Sequence, residues 1–172
     1  GVKLSSGEPG GHHFLQPALI SGLVSAVNGT IVECNTAYGG SRASTAMHMQ
    51  LAKDHGFTDI AEVDILDAED SMELPIEGGN RLSVDYVGSH FANYDSFLVL
   101  SHFKGHAMAG FGGAIKNIGM GGGSRAGKMQ QHNDGKPAVD PELCRGCRKC
   151  ARECGSDAIS YENGKAGINQ EL

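Results

Sequence analysis

Four cysteines crowd into the C-terminal part of the chain as Cys144-x2-Cys147-x2-Cys150-x3-Cys154. Thiolates at this spacing hold the irons of a 4Fe-4S cluster, while the short spacers turn backbone amides toward the sulfurs. Zinc ligands usually come as two separated pairs, and disulfides ask for an oxidising compartment. The run therefore reads as iron-sulfur, and redox chemistry is the activity that goes with it. Arg145, Arg148, Lys149 and Arg152 surround the ligands. Positive charge there raises a reduction potential or attracts an acidic redox partner protein. A solvated basic helix face accounts for them equally well.

A second constellation lies upstream, in Ser101-His-Phe-Lys-Gly-His106 and the glycine-rich stretch behind it. It follows an apolar strand-like segment, and in α/β folds ligands bind beyond the C-terminal ends of strands. His102, Lys104, His106 and Lys116 are the candidate catalytic groups. Gly110, Gly112, Gly113 and Asn117 are candidate contacts to a cofactor or small anion, with Ser124, Arg125, Lys128 and His132 behind them. Gly122-x4-Gly127-Lys128 matches the first seven positions of a P-loop, but Met129 stands where a hydroxyl must hold magnesium, which argues against nucleotide hydrolysis. His12, His13, Glu33, Asn35 and Arg42 fall at strand ends that face the same crevice, though solvated loop residues need no such explanation. Cys34 reads as a buried small residue, and His48, His55 and His90 read as helix-surface residues.

These groups need a scaffold. Val2 to Leu4, Thr30 to Cys34, Ala61 to Leu66 and Phe97 to Leu100 are strand-like, the last as a fully buried strand. Helices are expected from Pro17 to Asn28, with the stripe Leu19, Ile20, Leu23 and Val24, and from Ser44 to a Gly56 cap, with Ala46, Met47, Leu51 and Ala52 inward. Met72 to Tyr86 reads as a hairpin or edge. Gly105 to Gly127 reads as one long glycine-rich loop. The fold class is α/β: a mostly parallel sheet flanked by helices, with a small ferredoxin-like, cysteine-rich C-terminal module. The division falls at 1–135 and 136–172, and Ala158 to Ile168 closes the module as a hairpin over an Asn163-Gly164 type I′ turn.

The net charge of −6 offers no basic face for nucleic acid. The apolar runs are too short for a membrane span, which needs about 20 residues. With no signal-peptide pattern, a cytoplasmic location is expected. The 26 glycines concentrate in the candidate ligand stretch.

Thr36-Ala-Tyr-Gly-Gly-Ser-Arg42, Leu100-Ser-His-Phe-Lys-Gly-His106, Gly110-Phe-Gly-Gly-Ala-Ile-Lys-Asn-Ile-Gly-Met-Gly121 and Ser124-Arg-Ala-Gly-Lys128, followed by the cysteine run, resemble the uncharacterized Fe-S center proteins, domain of unknown function 362. The resemblance covers nearly the whole chain and implies a 4Fe-4S cluster and a fold more than a substrate. Relatives are longer at both ends and carry a second cysteine run; they often have a cysteine where this chain has Gly122. His106, the loop Gly110 to Gly113, Lys116 and His132 are also spaced as in nickel-pincer lactate racemases, which implies a metal or nucleotide cofactor.

In two-cluster ferredoxins the fourth cysteine of a run ligates the other cluster, and a proline follows it. Here Gly155 follows, and no second run is present. The module is thus expected to be truncated, with a second cluster only in a longer full-length protein. That Cys154 closes a single cluster is the alternative. Three functional readings stand side by side: an electron-transfer or redox protein, with oxidoreductase as the enzyme class; an enzyme for a small anionic ligand with a structural cluster; and a non-catalytic binding protein.

Overall fold

A computed structural model of the chain describes residues 1–132, 137–154 and 157–169. Four short strands, β1 (Val2–Lys3), β2 (Ile31–Glu33), β3 (Val63–Ile65) and the strand Leu98–Val99, form an all-parallel sheet in the order β3-β2-β1 and then Leu98–Val99. Helix α1 (Pro17–Ala26) joins β1 to β2, and α2 (Thr45–Asp54) joins β2 to β3. Pro17 opens α1, where a missing N–H costs nothing. Gly56 takes a φ of 80° just beyond α2, as the residue past a helix end must when the chain reverses.

Alternation along the strands sorts side chains between two faces. Val2, Leu4 and Ile31 pack with Ile20, Val24, Ala52 and Phe57 on the side of α1 and α2. Val32, Cys34 and Leu66 form the other cluster, against Phe91, Tyr94 and Phe97. The helices sit differently from the expected stripes. In α1 only Ile20 and Val24 are buried, whereas Leu19 and Leu23 are exposed. In α2 the inward positions are His48, Leu51 and Ala52, while Met47 faces outward. The last parallel strand is not enclosed as expected, because it is the sheet edge with Leu98 36% exposed.

Between β3 and the edge strand the chain makes an antiparallel hairpin, β4 (Ser71–Pro75) with β5 (Val84–Gly88). With the edge strand taken as β6, a second hairpin follows, β7 (Lys104–His106) with β8 (Gly110–Gly112). Then come α3 (Ala114–Gly122) and α4 (Arg125–His132). The stretch expected as one long loop is thus a hairpin and two helices. Two of its glycines, Gly121 and Gly127, serve close packing: a Cβ on Gly127 would stand 2.0 Å from the Tyr86 carbonyl oxygen of β5. The α3–α4 corner is pinned to β5 by Ser124, which is fully buried and donates its hydroxyl to Tyr86 O at 3.2 Å while accepting the Gly127 N–H.

The cysteine module comprises α5 (Lys149–Glu153) and the hairpin β9 (Ile159–Glu162) with β10 (Lys165–Ile168). Asn163 and Gly164 have φ of 50° and 76°, as a type I′ turn requires. The boundary expected at 135/136 and Gly155 lie outside the described residues.

Two glycine substitutions should move stability in opposite directions. Gly127→Ala gains about 1 kcal/mol of helix propensity but drives a methyl into the Tyr86 carbonyl, and overpacking of about 1–3 kcal/mol or more outweighs it. Gly22→Ala on exposed α1 meets nothing within 4 Å and should stabilise by up to about 1 kcal/mol. Urea denaturation of both variants checks the pair of signs.

Candidate functional site

At the C-terminal edge of the parallel sheet lies a cavity of about 600 Å³. Its floor comes from the strand ends, through Lys3, Glu33 and Cys34, and from Asn117, Gly121 and Lys128 of the helical layer. The loop after β1 supplies one wall with Phe14, and the β7–β8 hairpin supplies another.

Lys3 is the unexpected member. It is the last residue of β1, between the buried Val2 and Leu4, and is only 2% exposed. Its ammonium donates to Leu4 O and, at 3.0 Å, to Asn117 Oδ1. A side chain on Gly121 would collide with it, since a Cβ there would be 2.9 Å from Lys3 Nζ. Asn117 completes the joint: its Nδ2 donates to Leu100 O and Ser101 Oγ, both at 3.0 Å. One amide thus ties α3 to the ends of β1 and β6.

Glu33 lies on the opposite face of the sheet, 4% exposed. Its Oε1 accepts the Ser6 N–H, and its Oε2 is 3.5 Å from Arg42 Nη1 and 3.6 Å from His48 Nε2. Burial alone raises a carboxylate pKa. Here the His48 hydrogen bond with the Lys3 and Arg42 charges overcomes it and brings Glu33 down to about 2. His48, expected on a helix surface, is completely buried, with Nε2 3.4 Å from Ser6 Oγ and Nδ1 3.4 Å from Asn35 Oδ1. His55 stacks on Phe14 at 4.2 Å, and His90 bonds Asp64 at 2.8 Å.

Burial pushes the Lys3 and Lys128 ammonium pKa values down, with Glu33 and Cys34 opposing it in both. Lys128 is 8% exposed and donates to Gly123 O. Burial also pushes the Cys34 thiol up to about 12, so it stays protonated, 3.3 Å from Gly122 O. A small buried residue was the expectation for it.

Of the residues singled out in the sequence, His102, Lys104, His106, Lys116, Gly112, Gly113, Asn117, Lys128 and His132 all line this one cavity. Gly110, Ser124 and Arg125 are not among its walls. Gly110 sits in the hairpin at φ 76°, Ser124 is the buried corner above, and Arg125 reaches Ala43 O. His106 has a local task as well, since its Nδ1 accepts the Met108 and Ala109 N–H groups across the β7–β8 turn. In the neutral ring this places the proton on Nε2.

In the module, Cys144, Cys147 and Cys150 of the run form no disulfide. Cys144 Sγ accepts the Ala166 N–H at 3.4 Å, and amide bonds from Ala166 and Gly146 lower its pKa. Cys150 Sγ stands 3.1 Å from Tyr161 Oη, and that bond pushes the tyrosine up to about 12. Either atom of this pair can donate; toward a thiolate or cluster-bound sulfur the phenol is the donor. Arg148 lies over the Tyr161 ring at 4.9 Å. Gly146, at φ 65°, lets the cysteine loop press on the hairpin, where a Cβ would be 2.3 Å from Gly164 O. Among the described residues no three His, Cys, Asp or Glu side chains are grouped to hold a metal ion. A donor set of thiolates that receive N–H and O–H hydrogen bonds suits an anionic iron-sulfur cluster.

A parallel α/β sheet with a ligand-sized cavity at its strand ends, in a chain that also carries a C-terminal cysteine run, marks an iron-sulfur protein. Residues 1–145 match the domain of unknown function DUF362, and the chain belongs to that family. Residues 136–159 match a 4Fe-4S binding domain, so the cofactor is a 4Fe-4S cluster. No curated protein and no solved structure matches the chain. No helix among the described residues is long and apolar enough to cross a membrane.

Glu33→Gln should destabilise the fold by about 3–5 kcal/mol at pH 7, as breaking a buried charge set does. Because the folded pKa is depressed from 4.5 to about 2, the contribution of Glu33 is complete above pH 4.5 and is lost as pH falls toward 2. Urea midpoints of wild type and variant should therefore converge on acidification.

Proposed function

We propose that the chain is a redox protein in which the 4Fe-4S cluster exchanges electrons with a small molecule held in the cavity at the sheet edge. The observation that carries the reading is the convergence of His102, Lys104, His106, Lys116 and Lys128 on one ligand-sized cavity in a chain that also has a 4Fe-4S binding domain. Volumes of about 300–1,000 Å³ are usual for small-molecule sites.

Cys144, Cys147, Cys150 and Cys154 are the proposed cluster ligands. The cluster supplies electrons singly. The Ala166 amide and the Tyr161 hydroxyl stabilise negative charge on the ligand sulfurs, which favours the reduced state. At the cavity, Lys104 and Lys116 hold an anion, and His102 and His106 give or take protons at ring nitrogens as the ligand changes charge. The enzyme class in this reading is oxidoreductase, and the electrons come from or go to a partner protein.

Anaerobic reconstitution with iron and sulfide followed by dithionite tests it. The expected result is four irons per chain, a one-electron EPR signal on reduction, and loss of the cluster in Cys147→Ala. A protein that holds zinc instead, or a cluster that dithionite does not reduce, contradicts the redox reading.

A further inference from the structure

Three cationic side chains, Lys3, Arg42 and Lys128, meet at the floor of the cavity. Lys3 feels the charges of both Lys128 and Arg42, and Lys128 feels that of Arg42. Glu33 is the buried carboxylate among them, Asp67 lies close enough to act on Lys128, and Glu8, half exposed at the mouth, pairs with Arg42. Cys34 adds no negative charge, being a thiol. Buried charge without a counter-charge is costly, and so is a buried donor without an acceptor.

The donors of the two lysines are not all placed. An ammonium has three N–H groups. Lys3 places two, on Leu4 O and Asn117 Oδ1, and Lys128 places one, on Gly123 O. Three N–H donors are left on two lysines that are more than nine-tenths buried and line the cavity. Above them the walls turn apolar with Phe14, Met108 and Met120, and Lys104 and Lys116 stand on the hairpin side.

We propose that this floor is an oxyanion subsite, in which Lys3 and Lys128 hold the carboxylate or phosphate group of a small organic ligand whose less polar body lies along Phe14 and Met120. The inference rests on the cavity being the reaction site and names the ligand class for it. Glu33 holds Arg42 in place and keeps the three cations from repelling one another apart. Asn117 aligns Lys3, and Gly121 leaves room for its head.

Isothermal titration of the reconstituted holoprotein with inorganic phosphate, acetate and succinate, at ionic strength held constant with chloride, tests the proposal. Saturable one-site binding of phosphate alone assigns a phosphate ligand, and binding of the carboxylates alone assigns a carboxylate. Lys128→Met should weaken the binding at least tenfold, and Lys128→Arg should restore most of it. Heat no greater than the chloride control for any of the three anions overturns the subsite, as does undiminished affinity in Lys128→Met. Should that variant not fold, acetylation of wild-type lysines followed by mass spectrometry gives the answer: a saturating anion must protect Lys128, and equal labelling with and without anion overturns the proposal. Anion binding beside a cluster that dithionite does not reduce leaves the subsite standing and overturns the redox reading. A reducible cluster without anion binding does the reverse.

Discussion

The carboxylate of Glu33 is where the charge of this molecule is balanced, and most of the site's geometry follows from keeping it ionised. A lone buried carboxylate would be neutral, because desolvation outweighs everything else. Here Ser6 N–H, His48 and Arg42 each contact one of its oxygens, and Lys3 adds its charge through the sheet. Those partners come from the loop after β1, from α2 and from the loop before it. Glu33 thus joins three segments that apolar packing alone would leave free to slide. The same charge makes it tolerable to bury two lysines beneath the cavity.

On the other face of the sheet, Asn117 does for the helical layer what Glu33 does for the loops. Its single amide reaches Lys3, Leu100 and Ser101, so α3 is registered against both β1 and the edge strand. Glycine makes that approach possible: Gly121 admits the Lys3 head, and Gly127 admits the Tyr86 carbonyl. A hairpin, a helix pair and a parallel sheet are thereby held around one opening.

The alternation of strands and helices was legible from the sequence because apolar spacing encodes it, and so was the Asn163-Gly164 turn, whose residue pair tolerates positive φ. Half of each helix stripe was read correctly: Ile20, Val24, Leu51 and Ala52 are buried, whereas Leu19, Leu23, Ala46 and Met47 are exposed. His48 is buried because a carboxylate waits for it, and no periodicity in α2 encodes a partner 15 positions away in another element. Gly105 to Gly127 looked like a loop because glycine is poor in helices and strands; Gly121 and Gly127 are close-packing residues, which only tertiary structure distinguishes. The cavity residues His102 to Lys116 were found by the rule that ligands bind at strand ends. Lys3 was missed, although a lysine inside an apolar strand is itself a signal, since burial of a charge requires a reason. Glu33 carried the same signal at the end of Ile31-Val32.

The cysteine run needed least from the fold, because ligand spacing is local. The structure adds the hairpin that supports it, with Ala166 and Tyr161 offering hydrogen bonds to two sulfurs. Protein donors thus gather around sulfur at the module and around a carboxylate at the sheet. The direct measurement of the second is the titration of the Glu33 side-chain carboxyl by 13C NMR in the intact protein. Its resonance should stay that of a carboxylate down to about pH 2, or to the lowest pH at which the chain remains folded. A titration midpoint near the ordinary 4.5 would contradict the account.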